Sequence, residues 1–348
     1  MQFEGAWTAL VTPISSDGGV DWSAFEKIIE FQLSQGISGL VPAGTTGESP
    51  TLTWEEHNKV IDVALRLAKG KCGVLAGTGS NSTSETLEST SHAVENGAEA
   101  VLLVDCYYNG PSSLELRKEY YGRIAEKFPS VSVVPYVIPG RSGTALIPED
   151  LAILNSDYPN VCAVKEATGD LDRMKKTREL LGTAFSIMSG DDDITYTMMS
   201  DPDIAANGVI SVVTNVAPAA VEKMTRLALS GDLAGAEKLK KALSPLFGIV
   251  TVKSDNERIL PNGTKVTVND RFRNPLGIKT LMAALGMPVG ICRQPLGKLT
   301  KSAADIVRNA AKQVWTNNPE ILSPVGDFFK VDIDSRLSDD DLWSSLTY

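Results

Sequence analysis

The sequence predicts an α/β fold, a (β/α)8 TIM barrel followed by a C-terminal helical extension, on three observations. Short apolar runs alternate with stretches of helical spacing. Eight such units fit within roughly 230 residues, the size of one closed barrel. Strictly alternating strand and helix also implies a parallel sheet. An open doubly wound sheet is the competing arrangement, and eight units favour closure. The first strand is expected near Trp7–Val11 and the second at Gly39–Val41. A helix over Trp54–Leu67 carries apolar residues at helical spacing and leads to a strand at Gly73–Gly77. The next helix spans Ser84–Asn96 and is closed by Gly97, a residue suited to ending a helix. The strand Ala100–Val104, the helix Glu115–Lys127 and the strand Ser132–Tyr136 continue the rhythm. The apolar run Val161-Cys162-Ala163-Val164, ending in Lys165, reads as a buried parallel strand. Strands near Ser186–Gly190 and Gly208–Ser211 complete the eight, so that residues 1–230 form the barrel.

The pattern changes after Gly231. Leu233–Phe247 reads as helix, and a polar insertion follows near 253–272. Within it, Arg258 to Val266 suggests a small hairpin, because Asn262-Gly263 suits a tight turn. Helical spacing resumes over Pro275–Leu285 and Ser302–Val314, and the chain ends in an acidic tail around Asp339-Asp340-Asp341. Residues 231–348 are thus expected to be a helical region with a polar insertion and an acidic tail.

Composition narrows the functional classes. The 348 residues carry a net charge of -10, against the Lys/Arg surplus that nonspecific nucleic-acid or anionic-membrane binding requires. No apolar run approaches the roughly 20 residues of a membrane span, and no basic segment precedes an apolar one at the N-terminus. A cytoplasmic protein is expected. The four cysteines are far apart in sequence and read as small buried thiols. His57 and His92, the two histidines, lack the spacing of a zinc site, so no metal is expected. No phosphate-binding glycine loop is complete, which leaves nucleotide cofactors without support.

The candidate chemistry lies at strand ends, where α/β barrels hold their active sites. Lys165 is carried there by an apolar wall; lost hydration lowers the pKa of such an amine and makes it a nucleophile toward a ketone. The alternative is an ordinary strand-end lysine with a solvated head group. Gly44-Thr45-Thr46-Gly47-Glu48-Ser49 offers converging backbone N–H groups and two hydroxyls for a small carboxylate, or is a plain tight turn. Tyr136 to Gly143 supplies a phenol able to relay protons and Arg141 to clamp a carboxylate. Tyr107-Tyr108, after the fourth strand, reads as an interface pair.

These segments resemble the pyruvate-dependent class I aldolase family of dihydrodipicolinate synthase and N-acetylneuraminate lyase. The motifs are GTTGES at 44–49, YVIPGRSG at 136–143, VKEATGD at 164–170, SGDD at 189–192 and GVISV at 208–212. The resemblance covers about residues 1–250 and resumes from Asn274 to about Val314. It implies a Schiff base between Lys165 and pyruvate, with no further cofactor. It implies a proton relay of Tyr136, Thr45 and Tyr108, with Tyr108 reaching a neighbouring subunit's site. Thr46 would hold the pyruvate carboxylate, while Gly190 and Ile210 would line the pocket. Arg141 resembles the synthase branch, where the acceptor is L-aspartate 4-semialdehyde in lysine and diaminopimelate synthesis; another aldolase of the family is the alternative. A non-catalytic oxoacid or amino-acid sensor would have no need of the relay. Ser49, Pro50, Trp54, His57, Asn81, Glu85 and Tyr107 resemble a feedback site for lysine at a subunit interface, although His57 alone reads as a helix-surface residue. A homo-oligomer, tetramer or dimer, is implied. The chain departs from the pattern at Cys106, where proline is usual, in the longer 253–272 stretch and in its continuation past the usual end.

Overall fold

The computed structural model describes residues 3–348. Its strands run β1 (Gly5–Ala9), β2 (Gly39–Val41), β3 (Gly73–Val74), β4 (Ala76–Gly77), β5 (Ala100–Val104), β6 (Ser132–Val137), β7 (Ala163–Glu166), β8 (Ser186–Ser189) and β9 (Gly208–Ser211). The sheet order is β3-β2-β1-β9-β8-β7-β6-β5-β4, and every neighbouring pair is parallel. Its two ends, β3 and β4, are consecutive in the chain and separated only by Leu75, whose N–H reaches Leu40 O at 2.9 Å. They are two halves of the single strand predicted at Gly73–Gly77. The first half pairs with β2 and the second with β5, which closes an eight-stranded barrel.

Alternation along the strands sends one set of side chains into the barrel and the other toward the helices. The interior holds Phe3, Trp7, Val41, Leu75, Leu102, Val134, Met188 and Ile210, all buried. Trp7 is the largest, and its indole occupies the space that side chains at Gly39 and Gly73 would need; a Cβ on either would stand 2.2 or 2.5 Å from the ring. Glycine in these strands is therefore a packing requirement. The outer core packs strands against helices such as Trp22–Ser34 and Trp54–Ala68, the latter starting with a Thr53–Glu56 capping box.

Strand β1 lies two residues earlier than expected, and the helix read over Glu115–Lys127 starts with an α-turn at Ser113–Glu115, passes through a π-turned segment, Leu116–Tyr121, and continues as the α-helix Gly122–Lys127. The helix Leu233–Phe247 matches its prediction. The polar stretch differs more. Instead of a small hairpin at 258–266 it forms two nine-residue strands, β10 (Thr251–Ile259) and β11 (Lys265–Arg273), paired from Thr251↔Arg273 to Ile259↔Lys265. The Asn-Gly signal located the turn, but alternation among polar residues gives no period that marks strand length.

The acidic C-terminus is ordered rather than a loose tail. Asp339 caps the helix Asp340–Ser345, Asp340 pairs with Arg308 at 2.6 Å, and Trp343 is buried. Thr347 bridges to Leu299. No helix among the described residues is long and apolar enough to cross a membrane.

Candidate active site

Register brings the first two candidates together. Tyr136 on β6 stands directly opposite Lys165 on β7, and both side chains point into the barrel's carboxyl end. Lys165 Nζ lies 4.0 Å from the centroid of the Tyr136 ring. Its neighbour Glu166 points the other way, toward the helices, where it pairs with Arg173 at 3.0 Å. The two buried charges of this strand end thus belong to different layers.

A cavity of about 200 Å³ opens over Lys165, walled among others by Thr46, Tyr136, Arg141, Gly190, Asp191 and Asn274. Burial pushes the Lys165 ammonium down to about 8, against the opposing pull of Asp191 and Asp192. About a tenth of the amine is then neutral at pH 7, far more than for an ordinary lysine, and that neutral form is the nucleophile. Burial drives the Tyr136 phenol up to about 12, so it stays protonated; the Arg141 charge and the nearby Thr45 hydroxyl moderate the shift. Asp191 and Asp192 are both raised to about 6, burial being the main cause. Asp192 is fixed by Ser211 Oγ and by the Val212 N–H at 3.0 Å.

Gly190 lies so close to the lysine that a Cβ there would meet Ala167 Cβ at 2.7 Å and Lys165 Cε at 3.2 Å. Thr46 is buried, and its Oγ1 accepts from Asn274 Nδ2 at 2.8 Å. Arg141 lies in the short helix Pro139–Ser142 at the cavity mouth and donates to the Asn274 carbonyl at 3.0 Å. Ile210 belongs to the barrel interior, while Val212, two residues on, reaches the cavity wall.

Tyr108 does not join this wall. It is 92% exposed and held at φ 77. A non-glycine residue in that region is uncommon and costs about 1–2 kcal/mol, so the surrounding loop holds the ring outward against a backbone preference.

A second cavity, of about 170 Å³, lies beside the first at the same end of the barrel. Ser49, Pro50, Trp54, His57, Asn81, Glu85 and Tyr107 all line it. His57 is 4% exposed, so its reading as a surface histidine does not hold. Burial lowers it to about 4, the Trp54 ring packs edge-on at 5.1 Å, and His57 Nδ1 has no partner among the described residues. Burial and the Glu85 charge raise the Tyr107 phenol. A third space, about 240 Å³ near Lys69 and Cys72, sits at the opposite end, where no such convergence of polar side chains occurs.

Sequence reasoning missed several residues that shape the first cavity. Arg271, Arg273 and Asn274 come from β11 and its end. Lys279, from the helix Leu276–Ala284, is buried and bonds Glu48 at 2.6 Å and Thr12 O at 3.0 Å, tying the 44–49 turn to the C-terminal region. The SGDD motif was the available signal for Asp191; nothing local marked Lys279. Among the described residues no group of three or more His, Cys, Asp or Glu could hold a metal.

The dihydrodipicolinate synthetase family model matches residues 2–314. The chain belongs to this family. A 4-hydroxy-tetrahydrodipicolinate synthase of Nitratidesulfovibrio vulgaris is 41% identical over 286 residues, covering 82% of this chain and 89% of that one. The crystal structure of dihydrodipicolinate synthase from Aquifex aeolicus aligns with TM-score 0.79 and 35% identity, covering 92% and 99% of the two chains. A family structure from Cyanidioschyzon merolae with lysine bound aligns with TM-score 0.80 and 31% identity over 90% of this chain and 98% of that one. Both structural likenesses run nearly the full length of the solved members, so the family's fold is shared as a whole. Family membership carries the class of enzyme, a Schiff-base lyase that works without a separate cofactor.

Proposed function

We propose that this chain condenses pyruvate with L-aspartate 4-semialdehyde through a Schiff base on Lys165, giving 4-hydroxy-tetrahydrodipicolinate, and that free lysine inhibits it. The observation that carries the reading is a buried amine lowered to about 8, facing a small cavity beside a protonated phenol and an arginine. The neutral Lys165 amine attacks the ketone of pyruvate, and water leaves as the imine forms. The imine withdraws electrons from the methyl group, whose proton passes to the Tyr136–Thr45 relay and leaves an enamine. The enamine carbon attacks the aldehyde, the relay returns a proton to the new alkoxide, and the acceptor's amino group then displaces the lysine nitrogen from the imine, closing the ring and freeing Lys165. Thr46 holds the pyruvate carboxylate, Gly190 gives the imine carbon room, Ile210 backs the pocket, and Arg141 holds the acceptor carboxylate.

An exposed Tyr108 supports an oligomer in which each copy lends this ring to its neighbour's relay. The second cavity suits an amino acid, with Glu85 taking the side-chain ammonium and Asn81 and Tyr107 the carboxylate. His57, buried with an unpartnered Nδ1, offers one further polar contact. The lysine-bound relative supports the same assignment.

The test is turnover of purified protein with pyruvate and aspartate semialdehyde, coupled to a reductase that consumes the cyclic product. Turnover that disappears in Lys165→Ala is the expected result. Trapping of pyruvate on Lys165 by borohydride without turnover would discard the acceptor while keeping the aldolase chemistry.

A further inference from the structure

The outer wall of the Lys165 cavity is not built by the barrel. Thr251, Arg271 and Arg273, at the base of the β10–β11 hairpin, line it together with Arg141. Arg271 and Arg273 are two apart on one strand, so they leave the same face of the hairpin. Three guanidiniums therefore surround one opening. Among the described residues none of the three forms an ion pair with a carboxylate. Arg141 donates to the Asn274 carbonyl at 3.0 Å, Arg273 to the Gly140 carbonyl at 2.8 Å, and Arg271 to no protein group. Toward the tip of the same hairpin, Arg258 pairs with Asp270 at 2.8 Å and Lys265 with Glu257 at 2.9 Å.

The cluster at the mouth is thus left uncompensated, and the charges of Arg271 and Arg273 both act against that of Arg141. Asp191 is the single carboxylate in the cavity wall. Asn274, which follows the hairpin, adds a second observation. Its Nδ2 reaches Thr46, but its Oδ1 is buried with no hydrogen-bond partner. A buried acceptor left open costs free energy until a donor arrives. The mouth is complementary to a small anion that carries a hydrogen-bond donor beside its charge.

We propose that Arg271 and Arg273, with Arg141, form an anion subsite that binds the carboxylate of the acceptor aldehyde and sets the preference for carboxylated acceptors. This rests on the condensation proposed above. The hairpin, beyond closing the cavity, then contributes specificity residues that the barrel itself does not supply.

Arg271 is exposed and bonds no protein group, so Arg271→Gln is the clean variant. The expected result is an apparent KM for aspartate semialdehyde raised about tenfold, with kcat and the KM for pyruvate nearly unchanged. Arg271→Lys, which keeps the charge, should recover part of the loss. A merely structural hairpin would instead alter kcat or the pyruvate KM. Binding of dipicolinate, an aromatic dicarboxylate, measured by calorimetry on the resting enzyme, tests the subsite without turnover. It should weaken about tenfold in Arg271→Gln and further in the Arg271→Gln/Arg273→Gln pair. An unchanged acceptor KM together with unchanged dipicolinate affinity overturns the proposal, and so does a parent protein that fails to bind dipicolinate. Absent turnover with dipicolinate binding that still depends on Arg271 would instead overturn the acceptor and leave the anion subsite standing.

Discussion

Replacing Lys165 with methionine should make the protein more stable at neutral pH while abolishing pyruvate trapping. The amine falls from its ordinary 10.5 to about 8 because burial penalises its charged form. At about 1.4 kcal/mol per pH unit, that difference corresponds to about 3 kcal/mol. The sign follows from proton counting. The unfolded chain keeps the proton up to 10.5, while the folded chain releases it near 8, so the unfolded state binds more protons between those values. The cost to stability is complete below about 8, fades as pH rises toward 10.5, and is gone above it. Methionine fills nearly the same volume without a charge, so Lys165→Met should recover up to about 3 kcal/mol at pH 7. That figure is already net of the favourable interaction with Asp191 and Asp192 that methionine gives up. Urea melts at one fixed protein concentration, run at neutral pH and again near pH 10.5, read the effect. A variant less stable than the parent at neutral pH refutes the reasoning, as does a gain that fails to shrink at high pH.

The same lowered amine predicts that borohydride trapping of pyruvate speeds up as pH rises through about 8; a rate flat from pH 6 to 9 would contradict it. Gly190→Ala should cut kcat/KM by at least about tenfold with the fold intact by circular dichroism, because the new Cβ would press on Lys165 Cε and Ala167. Glu48→Gln strands the buried Lys279 ammonium, and should cost about 3–5 kcal/mol in denaturant melts, with part regained in the Glu48→Gln/Lys279→Met pair. Glu85→Ala should raise the lysine concentration for half-inhibition at least about tenfold while leaving uninhibited turnover close to the parent's; equal inhibition would remove Glu85 from the site.

The barrel could be read from the sequence because each unit announces itself locally. Apolar strand runs, a capping box before Trp54 and a glycine after Asn96 are decided by neighbours a few residues away. The strand at Gly73–Gly77 was legible even though its pairing switches partners at Leu75, since one apolar run suffices to mark it. The second cavity was legible for another reason: its seven residues match the family's feedback pattern, and they sit in the loops and first helical turns that follow strands, which a barrel gathers at one rim. What local pattern could not give was side-chain burial. His57 sits on an amphipathic helix whose polar and apolar faces do not predict that Trp54 and the neighbouring loops enclose the ring.

Arg271, Arg273 and Lys279 escaped sequence reading for a physical reason that also bears on how the site is assembled. A strand-end lysine is recognisable because the apolar run of its own strand leads straight to it. Arg273 becomes a site residue only because β11 pairs residue by residue with β10 and ends just before Asn274, which bonds Thr46 from the far side of the chain. Lys279 matters only because its ammonium reaches Glu48, Thr12 and Ile291, three segments distant in sequence. Each of these contacts closes a long loop, and such closure is worth its entropy only in the finished fold. The strand that carries the proposed Schiff-base amine is therefore marked by local sequence, whereas the groups that hold the 44–49 turn and close the mouth over it come from the C-terminal region. It follows that disturbing the C-terminal region should alter acceptor binding and turn geometry before it alters the Lys165 amine. An Arg271→Gln/Arg273→Gln variant that still trapped pyruvate but had lost acceptor selectivity would be the direct sign of that division.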